Sequence, residues 1–257
     1  MYFNTTEIED LRTGLSKIAP KFEALRQRLF MHDFRTDAAR EHAAHGLVRR
    51  LGDMTRCVER TFQLLPPDLA DIPERTTTLD ATINIQAFVM NAFGCCENIA
   101  WIWVNEREIK SPDGRPLRPA QVGLGPDYTL VRDSLTPSFR SYLDSRADWF
   151  AHLKDFRDAL AHRIPLYIPP FTIDPADVDR YQQIEAEKTL ALTSRDLESY
   201  ERLKAEQVSL TRFQPVMTHS LDQGAKVVVF HVQLLSDFVT IEEIGEVVLD
   251  ELAMSPA

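Results

Sequence analysis

Apolar residues along this chain recur mostly at helical spacing. Ile8, Leu11, Leu15 and Ile18 form one stripe, and Phe22, Leu25 and Leu29 continue it past Pro20. With Thr6-Glu7-Ile8-Glu9 reading as a capping box, this pattern predicts a kinked or paired N-terminal helix within residues 1–32. From Asp37 to Leu65 the apolar positions Ala44, Leu47, Val48, Leu51, Met54, Val58, Phe62 and Leu65 predict a sustained amphipathic helix of about eight turns, stopped by Pro66-Pro67. Arg49, Arg56 and Arg60 alternate with Asp53 and Glu59 on its outer side, which reads as a phosphate-binding stripe or, more commonly for such a composition, as a solvated mixed-charge face. Residues 79–106 are apolar nearly all round and predict the central, most buried helix of a bundle, with Phe93 and Trp101 inside. Asn84, Asn91, Asn98 and Asn105 fall every seven residues and share one narrow seam. That seam reads as a solvent-facing strip, as hydrogen-bonded core polar groups, or as the lining of a cleft.

Residues 109–136 are rich in Pro and Gly and read as a connection. Gly123-Leu124-Gly125 lacks both a preceding strand and a following Lys-Ser/Thr, so it is no phosphate loop. Thr136-Pro137 opens a helix that runs through Phe139, Leu143, Trp149, Phe150, Leu153, Phe156 and Leu160, and Pro165 ends it. Asp174-Pro175 opens a polar helical region to about residue 208, with Ser194 capping a second piece. So polar a region is either a projecting hairpin or a surface that packs on another subunit. Phe213-Gln214-Pro215-Val216-Met217 and Val227-Val228-Val229-Phe230 read as two short strands around Asp222-Gln223-Gly224. Thr240-Ile241-Glu242-Glu243 reads as a capping box opening a last helix to about Leu252. The expected fold is mainly α: an up-down helical bundle with a small C-terminal β hairpin. It reads as one domain over 1–257, made of an N-terminal segment 1–32, a bundle 37–165 and an extension 174–257.

Composition narrows the class. An apolar fraction of 44% can bury a proper core, and nine glycines in 257 residues suit helices better than tight hairpins. The N-terminal residues have no basic region followed by an apolar run, and the most apolar stretch is interrupted by Asn84, Gln86, Asn91, Glu97 and Asn98. The expectation is therefore a soluble cytoplasmic protein without a membrane partner. Cys57, Cys95 and Cys96 fit reduced core thiols rather than a disulfide or zinc framework. A net charge of −10 repels nucleic acid at long range, so any RNA contact must rest on a local basic site.

One segment carries candidate chemistry. Phe156-Arg157-Asp158-Ala159-Leu160-Ala161-His162 resembles the signature of the HEPN superfamily, an arginine followed by a polar residue and, after four to six intervening positions, a histidine. The same arginine-to-histidine spacing occurs at five other places in the chain, and context singles this one out: Asp158 supplies the polar residue, and the long helices around it suit a bundle. The resemblance covers residues 37 to 165 and implies a helical-bundle ribonuclease or nucleotide-binding domain, commonly a homodimer that brings two such motifs together across a cleft. It also implies RNA or a nucleotide as ligand, raises a cognate antitoxin as partner, and calls for no cofactor or metal. The roles implied are His162 taking the proton of a ribose 2′-OH, Arg157 stabilising charge on the phosphoryl oxygens, and Asp158 orienting the site. The products would be a 2′,3′-cyclic phosphate and a 5′-OH. A non-catalytic bundle that binds a nucleotide or protein partner is the alternative.

Helical geometry adds two expectations. Arg157 points roughly 40° from the centre of the apolar arc, among Phe150, Leu153 and Leu160, and needs a buried partner or a bound anion. His162 lies about 140° round from Arg157, near the polar side with Asp158, so the two converge only through a distorted last turn or a second subunit. His42 and His45 with Glu41 have neither zincin spacing nor a third ligand, and no Gly-x-Ser-x-Gly elbow occurs.

Overall fold

A computed structural model describes residues 2–220 and 226–254. Helix α1, Thr5–Met31, starts earlier than the Thr6 box: the Asn4 side chain accepts from the Glu7 N–H at 3.0 Å, and Glu7 Oε2 accepts from the Asn4 N–H at 2.8 Å. It runs as one helix through Pro20 rather than as a pair, and the expected stripe buries Ile8, Leu11, Ile18, Leu25 and Leu29.

The helix expected over 37–65 is built in three parts: α2, Asp37–Glu41, a wide π-helical segment at His42–Leu47, and α3, Val48–Leu64. The wide turn falls where the chain meets its neighbour most closely. A Cβ on Gly46 would sit 1.7 Å from Asn98 Oδ1, so a larger residue there would displace the Asn98 side chain.

That neighbour is α4, Arg75–Glu106, which packs along α3 and also meets α2 and the π-helical segment. The asparagine seam follows this contact and is half-buried. Asn84, Asn91 and Asn105 each donate Nδ2–H to the carbonyl four residues back, at 2.7, 3.0 and 2.8 Å. Asn91 Oδ1 also accepts from Arg50 at 3.1 Å. Asn84, Asn91 and Asn105 thus follow the reading of hydrogen-bonded polar groups, whereas Asn98 Oδ1 is buried and finds no partner among the described residues. Helix α4 has the length and apolarity of a membrane span, with 61% of that window buried inside the bundle. Phe93 and Trp101 are half-buried rather than enclosed.

The 109–136 connection holds a short helix, α5, Thr129–Asp133, and the helix expected from Thr136 is two: α6, Pro137–Asp144, and α7, Ala147–His162. Ser145 Oγ–H donates to the Tyr142 carbonyl at 2.6 Å, while the Arg146 N–H closes a tighter three-residue turn onto Leu143 at 3.1 Å. Beyond Pro165, β1, Thr172–Ile173, leads into α8, Val178–Thr193, and α9, Leu197–Ser209; β2, Thr211–Arg212, then pairs antiparallel with β1. The two helices form a hairpin around their own cluster of Ile184, Ala191 and Leu203, apart from the main core. Asp196, not Ser194, caps α9, accepting from the Ser199 N–H at 3.1 Å.

The second pair of strands was expected and is present. β3, Val216–Met217, pairs antiparallel with β4, Val228–Val229, and the expected turn at Asp222-Gln223-Gly224 lies outside the described residues. The last helix, α10, Phe230–Met254, begins ten residues before the Thr240 box. Phe230, Leu234, Phe238 and Ile241 bury one uninterrupted face, so Thr240 stands mid-helix and its hydroxyl donates back to the Ser236 carbonyl at 2.9 Å. Helices α1, α3, α4 and α10 thus surround the core, with α10 as deeply placed as α4.

Candidate functional site

Helix α7 buries Phe150, Leu153, Phe156 and Ala159 and presents different groups on its flanks. Arg157 does not enter the apolar arc as a free charge. Its guanidinium carbon lies 4.1 Å from the centre of the Phe93 ring of α4, and Nη1 is 2.8 Å from Asp158 Oδ1. The expected partner is therefore the next residue in the chain, joined by a cation–π contact. Arg157 Nε–H is buried and finds no acceptor. Asp158 also takes the Lys154 ammonium at 3.1 Å, so one carboxylate holds two cations.

His162 is the last residue of α7 and is exposed. The helix stays regular to that point, and among the described residues the imidazole makes no side-chain hydrogen bond. The structure thus joins Arg157 to Asp158 and leaves His162 apart from both. The helix end is tied instead by Arg163, whose Nη2 donates to the Asp155 carbonyl at 2.8 Å and to its Oδ1 at 2.6 Å. Asp155 Oδ2 meets His219 Nε2 at 3.1 Å, and these partners hold its carboxyl below the usual range, Arg163 first. This pair was not foreseen. His219 follows β3, 64 positions away, and no local spacing announces the contact.

The surroundings of Arg157 carry two further features. Leu79, Ile83, Gln86, Met90, Phe93 and Glu97 lie within an arc of roughly 80° on α4. Leu79, Ile83 and Met90 are 51, 62 and 43% exposed, so an uncovered apolar stripe leads to the ring on which Arg157 rests. Gln86 binds this stripe to the chain beyond α7 through the Leu166 carbonyl at 2.6 Å, and the nearby Ile164 is exposed as well. On the other side of Phe93 a cavity of about 270 Å³ opens between α4, α7 and the 123–128 loop.

The remaining candidates are structural. Burial keeps the three thiols protonated, with Cys57 raised to about 11 and Cys95 and Cys96 also pushed well up. His42 stacks on Trp101, with rings 7° from parallel, and burial lowers its pKa. Among the described residues no group of three or more His, Cys, Asp or Glu is placed to hold a metal ion. Comparison with protein-family models, with curated proteins and with solved structures finds no match to this chain, so the site is read from its own geometry.

Proposed function

We propose that the C-terminal half of α7 carries a ribonuclease site of HEPN type, completed by a second copy of the chain. The observation that carries the reading is the state of the two side chains. Arg157 is held by Phe93 and Asp158 with one N–H still unsatisfied, while His162 stands exposed and unengaged at the end of the same helix. A fixed guanidinium suits stabilisation of phosphoryl charge, and a free imidazole suits proton transfer. In the reaction His162 takes the 2′-OH proton, the 2′ oxygen bonds to phosphorus, and the bond from phosphorus to the 5′ oxygen breaks. That oxygen takes a proton from solvent water and leaves as a hydroxyl, the imidazolium of His162 returns its proton to solvent, and a 2′,3′-cyclic phosphate remains.

The apolar stripe of Leu79, Ile83 and Met90 beside Arg157 supports a homodimer on this face. A second copy docked there would bring another His162 toward Arg157, which one chain does not do. The alternative is a bundle that binds a nucleotide or a protein partner without cutting. It is favoured by the closed Arg157–Asp158 pair and by the net charge of −10.

Cleavage of single-stranded RNAs in EDTA by pure protein separates the two. Wild type should cut, and His162→Ala should lose at least about 100-fold of the rate while keeping the fold, since the residue is exposed at the helix end. Arg157→Ala should lose cleavage and some stability, because Phe93 loses its cover and Asp158 a counter-charge. RNA left uncut by wild type, or cut equally by His162→Ala, defeats the enzyme. Nucleotide binding without cleavage, lost in Arg157→Ala, installs the alternative.

A further inference from the structure

The cavity beside Phe93 is built rather than incidental. Its loop wall is pinned from behind: the buried Arg132 guanidinium donates to the Leu124 carbonyl at 2.8 Å and pairs with Asp144. Gly123 is needed for its shape, because a Cβ there would lie 2.4 Å from the Tyr128 ring, which covers it. Leu124 and Leu153 are buried in the walls, and Phe93, Phe150 and Tyr128 bring three aromatic rings to the space.

Its charges are unbalanced. Glu97 and Asp127 line the cavity, both exposed, and among the described residues neither makes an ion pair or a side-chain hydrogen bond. The cation of the lining, Lys154, is already engaged by Asp158. The lining thus carries two unpaired carboxylates and one paired ammonium, while the nearby Arg157, on the Phe93 ring, is paired with the same Asp158.

From aromatic walls and two unanswered carboxylates we infer that this cavity binds a small organic cation, an aryl- or alkylammonium of one or two rings. The apolar part fills the space between Phe150, Leu153 and Tyr128, and the ammonium sits over ring faces with Glu97 and Asp127 beside it. An anion is disfavoured by the same carboxylates, which separates this site from the phosphate expected at Arg157. The inference does not depend on the ribonuclease reading, because binding is measured without RNA.

The test is calorimetric titration of the full chain with phenethylammonium, with neutral 2-phenylethanol and with phenylacetate. Saturable binding of the ammonium is expected, with a preference of about tenfold or more over the neutral probe and no binding of the anion. The double variant Glu97→Gln/Asp127→Asn, altered only at exposed positions, should lose that preference yet still bind both uncharged and cationic probes weakly. Ala151→Phe, which fills the space from an exposed position on α7, should abolish binding of all probes. Absence of saturation up to millimolar ammonium, equal affinity for the neutral probe in wild type, or binding undiminished in Ala151→Phe would each overturn the inference.

Discussion

At the scale of single residues, two buried titratable side chains with opposite effects lie six positions apart on α10. His231 is buried against Phe3, Phe62 and Phe230, and its Nε2–H donates to the Leu65 carbonyl at 2.6 Å. Burial lowers its pKa to about 4. Asp237 is buried as well, its Oδ1 accepting from Trp149 at 2.7 Å and Gln233 at 2.6 Å, and burial raises its pKa to about 7. The two act on stability with opposite signs. Between pH 4 and 6.5 the unfolded chain protonates His231 and the fold does not, so stability rises with pH, by roughly 3 kcal/mol in all. Between pH 4 and 7 the fold protonates Asp237 and the unfolded chain does not, so stability falls with pH, by roughly 4 kcal/mol. In the wild type these slopes largely cancel. Urea unfolding should show Asp237→Asn gaining stability steeply from pH 4 to 6.5, and His231→Gln losing it up to pH 7. Variant profiles that run parallel to wild type would remove both assignments.

At the scale of elements, the sequence pattern was informative about helix interiors and poor on helix ends, for identifiable reasons. The stripes of α1 and α3 follow from burial on one side of each helix, and burial is what periodicity records, whereas α4 is apolar on its exposed side as well. The break between α6 and α7 carries no Pro or Gly; it comes from Ser145 and Arg146 turning toward Tyr142, Leu143 and Glu243. Val227–Phe230 satisfies both a strand and a helix pattern, and the chain uses it for both, which hid the start of α10. The pairing of β1 with β2 joins residues some 40 positions apart and leaves no local trace. The candidate site divides the same way. Arg157-Asp158 through His162 is legible as a pattern, whereas Phe93 under Arg157 and the loop wall of the cavity are tertiary facts. The π-helical turn gives a test at this scale. In an ordinary helix Gly→Ala gains up to about 1 kcal/mol. Gly46→Ala should instead cost about 1–3 kcal/mol, because its methyl meets Asn98 Oδ1. Asn98→Ala in the same chain should recover most of that loss, and chemical unfolding of the four proteins in this cycle checks the coupling.

For the whole molecule, the question is how a chain of net charge −10 would present Arg157 to a phosphate. A homodimer on the α4 stripe would answer it by bringing two guanidiniums into one cleft, so that local positive charge doubles where the long-range field is unfavourable. The same docking would cover Leu79, Ile83 and Met90, whose exposure is otherwise unexplained by the bundle. Dimer formation and cleavage should then fail together. Light scattering at micromolar concentration should give twice the chain mass for wild type and one chain mass for Ile83→Lys/Met90→Lys. That variant should keep its melting temperature to within a few degrees at monomer-level concentrations, because both positions face outward, and should lose cleavage although Arg157 and His162 are intact. Mixing it with His162→Ala supplies a sharper check: no combination of the two should regain activity if an assembled stripe is required from both chains. A lysine variant that stays dimeric would move the interface to another face, and a wild-type monomer that cuts RNA would return Arg157 and His162 to action within one chain.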